Sequence, residues 1–293
     1  MNRCAKGYLF AVFSAVIYGC MPLMAKHIYV DGVNPLTLVF LRNLFSLVPL
    51  AILAYRQQKT LKIDPALFPR IGLISLLGCC VTPILLFSSY RYIASGTATV
   101  FHFAYPAIVI LVEVLFLNKK VPPFNIISVL LCVTGISLFY TPQESLSLAG
   151  SVLALLSAAT FAGYVVMLSH FDSRRVSGFL FSFYIVLVST VTTCIICLTT
   201  NSLALPATSL GWGLCILFSL SVTTGAVVLF QQSTFLIGGE RASILSTLEP
   251  ITSIIIGAVV FGEPFGLRVC FGTILVVTAS ILTALTNMRN KKA

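Results

Sequence analysis

Residues 96–117 read GTATVFHFAYPAIVILVEVLFL, an apolar stretch with Pro106 near its middle. A second stretch with the same layout, RASILSTLEPITSIIIGAVVF, occupies residues 241–261 and places Pro250 144 residues after Pro106. A helix of this length rises about 1.5 Å per residue and spans roughly 30 Å, the thickness of the hydrocarbon core of a bilayer. Both stretches are therefore predicted to be membrane-spanning helices, each broken or hinged at its proline.

The composition of the whole chain also indicates a membrane protein. Of its 293 residues, 58% are hydrophobic and 9% are charged, and the mean hydropathy is +1.04. A soluble domain usually carries about 25% charged residues, so we predict an all-α integral membrane protein embedded in the lipid bilayer. The nine cysteines form no disulfide framework or paired metal spacing, and the CxxC of Cys194 and Cys197 is better explained by helix packing than by redox or zinc chemistry. No metal and no cofactor are expected.

Apolar runs and the polar breaks between them predict ten spans. They are residues 7–25, 36–54, 71–90, 96–117, 124–141, 150–169, 178–199, 210–232, 242–261 and 267–286. We divide them into two five-helix repeats, residues 1–143 and 144–293. An even number of spans puts both termini on the same side of the membrane.

The distribution of cations identifies that side. Most of the 18 Lys and Arg residues fall in the termini and the loops that share a side with them. These are Arg3, Lys6, Arg56, Lys59, Lys62, Arg70, Lys119, Lys120, Arg174, Arg175, Arg241, Arg289, Lys291 and Lys292. Since cytoplasmic loops are rich in Lys and Arg, both termini are predicted to be cytoplasmic, in the plasma or inner membrane of the cell. The net charge of +10 is thereby a topology signal, and nucleic acid is not expected as a partner.

The repeat extends beyond the first pair of stretches. Four small residues of the first span match four of the sixth at an offset of 143: Gly7, Ala11, Ser14 and Ala15 correspond to Gly150, Ala154, Ser157 and Ala158. Because each repeat has an odd number of spans, the second repeat must enter the membrane from the opposite side. Inverted repeats around a central site are a transporter architecture.

The chain resembles the drug/metabolite transporter superfamily, in particular its ten-helix EamA-type permeases. The resemblance is carried by Leu248-Glu249-Pro250, by Phe261-Gly262-Glu263-Pro264 and by Gly272, with further agreement at Ala15 to Gly19, Lys26, Asn34-Pro35-Leu36 and Arg42. The first repeat departs from the pattern, because Asn118-Lys119 stands where the family commonly has Gly-Glu. The resemblance implies secondary transport of small metabolites, often efflux of amino acids or drugs, through a central cavity lined by both halves.

Glu249 is the first candidate for a functional residue. An ionisable group near the middle of the bilayer costs about 2.5–3.5 kcal/mol on insertion scales, so it should face the interior of the bundle. Ser246, Glu249 and Ser253 share one helix face. Two interpretations stay open: Glu249 binds a proton or a substrate amine, or it bonds backbone groups freed by Pro250.

His102 lies on the fourth predicted span, with Tyr105 near the same face. Its ordinary pKa near 6.5 suits a proton relay, although a lone intramembrane histidine also serves as a hydrogen-bonding strut between helices. On the same span, Glu113 is interpreted as an interfacial partner of Lys119 or Lys120.

The other candidates are polar residues inside spans or at their ends. Arg42 either binds backbone carbonyls or contacts an anionic substrate group, and Glu263 is assigned to stabilising a turn. Five further residues are expected to line the cavity: Tyr18, Tyr90, Tyr164, Gln231 and Gln232.

The predicted function is therefore secondary transport of small organic metabolites, most simply export of amino acids or related compounds. The chain has no Walker-type phosphate loop, no HExxH and no GxSxG motif, so neither an ATP site nor an enzyme is predicted. The alternatives are a non-transporting receptor or scaffold and, less favoured, a membrane-embedded enzyme. The residues leave open the substrate, the direction of transport, coupling to protons and formation of a homodimer.

Overall fold

The structure, a computed structural model, describes residues 3–117, 123–139, 147–169, 171, 176–237, 242, 245–263 and 265–290. Within these ranges the chain is helical and contains no β-strand. Seven helical segments are long and apolar enough to cross a membrane, and Ile126–Ser137, Leu248–Phe261 and Leu267–Leu282 are shorter apolar helices. The predicted class, an all-α multi-pass membrane protein, is confirmed. The side chain of Glu113 and its predicted partners Lys119 and Lys120 lie outside the described residues.

The helices follow one another with short connections. They are α1 (Arg3–Gly19), α2 (Met21–Val30), α3 (Pro35–Gln58), α4 (Phe68–Ser75), α5 (Thr82–Ser89), α6 (Ser95–His102), α7 (Tyr105–Leu117), α8 (Pro123–Ser137), α9 (Leu148–Ser169), α10 (Gly178–Thr199), α11 (Ser209–Phe218), α12 (Val227–Ile237), α13 (Leu248–Phe261) and α14 (Leu267–Asn290). A 3₁₀ turn, Pro65–Leu67, precedes α4.

Two of the long segments contain a π-helical stretch. Leu76–Val81 joins α4 to α5, and Ser219–Ala226 joins α11 to α12. The two stretches begin 143 residues apart, which is the offset found between the small residues of the first and sixth predicted spans. Such stretches are rare and frequently lie at functional sites.

Helix starts repeat at the same offset. The Asn34 side chain accepts a hydrogen bond from Thr37 N (2.8 Å) at the start of α3. The Ser177 hydroxyl accepts one from Leu180 N (3.3 Å) at the start of α10. Such caps satisfy amides that have no partner within the helix.

The described residues contain three positions at which an apolar helical stretch is interrupted by a turn. The first breaks at Cys20, between α1 and α2. A second breaks at residues 103–104, between α6 and α7, and a third turns at Thr247, immediately before α13. A proline follows each break within three residues, at Pro22, Pro106 and Pro250, and proline removes a helical hydrogen bond and clashes with the preceding turn.

One end of the bundle is held together by two carboxylates. The Lys26 ammonium lies 2.5 Å from Glu263 Oε1, and Thr208 N donates a hydrogen bond to Asp31 Oδ2 (3.1 Å). We call this end the Lys26 face. Helix α2 extends to Val30, five residues beyond the predicted end of the first span, and so includes Lys26, whose charge is paired with Glu263.

Glycines allow helices to approach closely at both ends of the bundle. A Cβ on Gly150 would lie 2.8 Å from Ile93 Cγ2, near the Lys26 face. A Cβ on Gly7 would lie 2.5 Å from Ile237 Cγ2, near the opposite face. Distances this short leave no room for a side chain, which is the packing expected where small residues line helix contacts in a membrane.

Candidate functional site

Five polar side chains converge in the interior of the bundle: Tyr18, Arg42, Tyr90, Tyr105 and Glu249, which we call the central cluster. Tyr18 interacts electrostatically with both Glu249 and Arg42, and Tyr90 interacts with the same two charged groups. Tyr105 also interacts with Glu249. Since these residues come from α1, α3, the end of α5, α7 and α13, the cluster joins the two halves of the chain.

The two charged members of the central cluster are not paired. Among the described residues neither Arg42 nor Glu249 forms a salt bridge. Within the described part of the chain, Arg42 Nε is buried without a hydrogen-bond partner, and the guanidinium carbon lies 5.4 Å from the centroid of the Phe87 ring. Both charged side chains are partly accessible. Unpaired ionisable groups at membrane depth are expensive and mark functional sites.

Tyr90 offers a third unsatisfied group. Among the described residues its hydroxyl has no hydrogen-bond partner, although Thr99 lies near it. The Thr99 hydroxyl donates instead to Ser95 O (2.9 Å) and lies 3.1 Å from Ser253 Oγ. The Tyr90 hydroxyl is therefore available to a ligand, because a buried polar group without a partner is destabilising unless something binds it.

Aromatic rings cover one side of the central cluster, and we call His102, Tyr105, Phe161 and Tyr164 the aromatic layer. Ring centroids are 4.8 Å apart for Tyr105 and Phe161, 5.1 Å for His102 and Phe161, and 5.3 Å for Phe161 and Tyr164. Tyr164 also interacts electrostatically with Tyr18. Rings at these distances pack favourably, so the layer is a preformed wall.

His102 is hydrogen-bonded within this wall. Its Nδ1 lies 2.9 Å from the Ser157 hydroxyl, which itself donates to Ala154 O (2.6 Å). Because the single hydroxyl proton goes to Ala154, the proton between the two side chains belongs to His102 Nδ1. His102 thereby links α6 to α9.

The breaks in the helices place these groups. Pro22 has no amide hydrogen to donate to the carbonyl of Tyr18, and Pro106 has none for the carbonyl of His102. The turn at Thr247 puts Glu249 in the first turn of α13, where the helix dipole favours a negative charge. Glu249 is thus placed at the start of α13, where its side chain is partly accessible.

The remaining sequence candidates lie around the cluster. Gln231 donates a hydrogen bond to Ser182 Oγ (3.1 Å) and so connects α12 to α10. Gln232, on α12, is partly accessible. Ser246 lies in the helical turn just before the break at Thr247. The hydrogen bond of Gln231 does not involve Arg42 or Glu249.

Three residues of the site were not predicted from the sequence: Cys79, Phe87 and Phe161. Cys79 interacts electrostatically with Arg42, Tyr18 and Tyr164, and Phe87 packs against the Tyr90 ring at 5.9 Å. In a chain with 22 Phe and nine Cys, such residues in apolar helices give no distinguishing signal. Only the register between the halves, which aligns Phe161 with Tyr18, provides one.

Comparisons with known proteins agree on the class of this molecule. A family model described as the EamA-like transporter family matches residues 5–141 and again residues 148–285. An uncharacterized transporter of Clostridium kluyveri is 19% identical over 97% of this chain and 94% of its own length. A solved structure described only as "Crystal structure of protein" superposes with a TM-score of 0.66 at 13% identity, covering 98% of this chain and 99% of its own.

Shorter matches involve two other bacterial proteins. An uncharacterized transporter of Haemophilus influenzae is 27% identical over 47% of this chain and 45% of its own length. The uncharacterized inner membrane transporter YicL of Salmonella typhimurium is 37% identical over 22% of each chain.

Proposed function

This chain belongs to the EamA-like transporter family, and on that premise we propose that it is a secondary transporter that exports amino acids or related small metabolites by alternating access. The observation that carries the proposal is the pair of unpaired charges, Arg42 and Glu249, that interact with the same two tyrosines. In a member of a transporter family, a membrane-embedded site of this kind suits a polar ligand that crosses the membrane.

We further propose ten spans arranged as two inverted repeats, residues 1–143 and 144–293. The glycine contacts support this arrangement. Gly7 and Gly150 occupy matching positions, and so do their neighbours Ile237 and Ile93, at offsets of 143 and 144. The two contacts lie at opposite faces of the bundle, as an axis of pseudo-symmetry in the membrane plane demands.

We assign both termini to the cytoplasm of a cell with this protein in its plasma or inner membrane. The support is the concentration of Lys and Arg in the loops on that side. In this topology the Lys26 face is external.

The substrate that suits the central cluster carries both charges. A carboxylate pairs with Arg42, an ammonium group pairs with Glu249, and the hydroxyls of Tyr18 and Tyr90 contact the polar atoms between them. The aromatic layer then accepts an apolar side chain. A zwitterionic amino acid fulfils each of these requirements, whereas a simple amine or acid leaves one charge unpaired.

Proton coupling is assigned to Glu249. Protonation of this carboxyl would release the ammonium group of the substrate and neutralise the site for its return, with His102 as a link between α6 and α9. The bond of His102 to Ser157 supports that division of roles.

The test is a binding comparison on the purified protein. Amino acids should raise the melting temperature, because a ligand at 100 times its Kd stabilises the native state by about 2.7 kcal/mol. The matching decarboxylated amines and deaminated acids should not. An amine and an acid that both stabilise as well as the amino acid would contradict the zwitterion site.

Flux into proteoliposomes tests the transport function itself. Glu249→Gln and Arg42→Gln should each lower saturable uptake of the amino acid that stabilises the protein by about 10- to 100-fold. Asp64→Asn is the matched control, since Asp64 is a carboxylate that caps a 3₁₀ turn away from the cluster. Full transport by both cluster variants would disprove the assigned site.

A further inference from the structure

One carboxylate at the Lys26 face connects three helices. Glu263 Oε1 accepts hydrogen bonds from Lys26 Nζ (2.5 Å), Ser95 N (2.9 Å) and Ser95 Oγ (2.8 Å). Glu263 Oε2 accepts a further bond from Gly96 N (3.3 Å). Lys26 belongs to α2, Ser95 begins α6 and Glu263 follows α13. We call Lys26, Ser95 and Glu263 the latch.

The residues around the Glu263 carboxylate leave space for it and favour its charge. The Glu263 side chain is only 12% exposed, and a Cβ on Gly257 would overlap its Oε2. The Lys26 ammonium also lies 4.5 Å from the centroid of the Phe261 ring. The N-terminus of α6 favours a negative charge at this position. Glu263 therefore has a prepared site beyond its role in the turn after α13.

The charge of Glu263 is maintained. Burial alone would raise the pKa of this carboxyl, but the hydrogen bonds from Lys26 and Ser95 outweigh burial and hold the pKa below its ordinary value. Glu263 thus stays ionised at neutral pH, and the ion pair with Lys26 persists.

Each of the three helices is broken on the inner side of the latch. Helix α2 starts at the break at Cys20, α6 ends at the break at residues 103–104, and α13 starts after the turn at Thr247. The segments between the latch and the breaks have 10, 8 and 14 residues. At about 1.5 Å per residue they are rods of roughly 12–21 Å, and a break is where a rod can change direction.

We propose that Lys26, Ser95 and Glu263 form the latch of a gate at the Lys26 face, and that the central cluster becomes accessible from this face only when the latch opens. Opening separates Glu263 from Lys26 and from the start of α6. The outer rods then tilt about their breaks. The inference rests on the proposed function for its role in transport and on the proposed topology for calling this face external.

The charged residues of the latch are not repeated at the matching positions of the other half. In the register between the halves, Ser169 stands opposite Lys26 and Lys119 stands opposite Glu263. These residues have no opposite charges to pair. In this proposal a gate at the opposite face is closed by contacts of another kind, and the latch biases the protein against opening outward.

Labelling of Cys79 tests the latch without any substrate. Cys79 interacts with Arg42, Tyr18 and Tyr164 and so reports access to the central cluster. The experiment uses intact cells with a variant whose only cysteine is Cys79, and a charged thiol reagent that does not cross membranes. Lys26→Gln and Glu263→Gln should each raise the labelling rate at least about tenfold, because removing one partner of a buried charge pair costs 2–5 kcal/mol, with 1.4 kcal/mol per factor of ten.

Two further variants keep the test decisive. Ser95→Ala removes one hydroxyl and leaves the ion pair, so it should fold normally and raise labelling by a few-fold. Asp31→Asn is the matched control, because Asp31 is a carboxylate at the same face that accepts from Thr208 N and has no ion pair among the described residues. It should label like the parent protein. Inside-out vesicles show which face has opened.

The outcomes separate the two proposals. Unchanged labelling in Lys26→Gln, Glu263→Gln and Ser95→Ala, or rapid labelling of the parent from the Lys26 face, overturns the latch whatever is transported. Faster labelling in the latch variants supports it even if no flux of amino acids is found, in which case only the proposed function fails.

Discussion

Matching positions in the two halves form two walls in the interior of the bundle that differ in chemistry. Tyr18 and Glu249 form a charged wall between α1 and α13. In the register between the halves these residues correspond to Phe161 and Tyr105, whose rings are 4.8 Å apart between α9 and α7 and which form an aromatic wall. Matching helix contacts of the two halves thus contain an ionisable pair in one case and two rings packed edge to face in the other.

The difference between the two walls indicates that they have different roles. The charged wall has a carboxylate without an ion pair among the described residues, whereas the aromatic wall has His102 fixed by Ser157. Ser14, the counterpart of Ser157, donates to Ala226 O (2.8 Å) and has no histidine to hold. We expect chemistry at the charged wall and rigidity at the aromatic wall.

The largest effect should come from removing the charge that distinguishes the walls. Glu249→Gln should lower the initial rate of transport about 10- to 100-fold, because a hydrogen bond to a charged group contributes about 1.5–3 kcal/mol. Tyr105→Phe, at the matching position, removes only a hydroxyl and should cost less. Equal losses in proteoliposome flux would show that the walls are not specialised.

A second comparison concerns the packing of the charged wall. A Cβ on Gly19 would lie 2.5 Å from Thr252 Cβ and 2.9 Å from the backbone oxygen of Glu249. Gly19→Ala should therefore lower the free energy of unfolding by about 1–3 kcal/mol through overpacking. The measurement is the melting temperature in detergent.

Gly163→Ala is its control in the other half. The nearest atom to a Cβ there is Leu77 Cδ1 at 3.5 Å, so alanine fits and should stabilise the helix by up to about 1 kcal/mol. If both glycine variants melt at the same temperature, the close approach of α1 to α13 does not matter.

The smallest effect is expected at the aromatic wall. His102→Gln should cost about 1 kcal/mol of stability through its bond to Ser157 and should leave the pH dependence of transport unchanged. A shift in the pH profile without a loss of stability would move proton coupling from Glu249 to His102.

The all-helical membrane class was accessible from the sequence because apolar runs depend only on local composition. Pro22 indicated a possible helix break near Cys20. However, Pro22 lies inside a continuous apolar run and was included in the first predicted span. The π-helical stretches at residues 76–81 and 219–226 had no signal, since hydrophobicity does not distinguish π from α turns in a helix surrounded by apolar atoms.

The latch also could not be predicted from the sequence. Lys26 and Glu263 are 237 residues apart, and each alone looks like an interfacial charge. The predicted role of Glu263 in a turn considered only its neighbours in the chain, whereas its bonds come from α2 and α6. For Gln231 the sequence predicted a cavity-lining position, and the structure adds a bond to Ser182 that no local pattern foreshadows.

The paired π-helical stretches also affect how this molecule tolerates changes in chain length. Before the π-helical stretches, at the helix caps Asn34 and Ser177, matching positions of the two halves are 143 residues apart. After these stretches, at the helix breaks near residues 103 and 247, matching positions are 144 residues apart, so the second half has one more residue between these points. In an α-helix an extra residue rotates everything beyond it by about 100°, which would turn Gln231 and its neighbours toward lipid. A π turn accommodates the surplus residue locally, and single-residue insertions should therefore be harmless there and damaging elsewhere in the same helices.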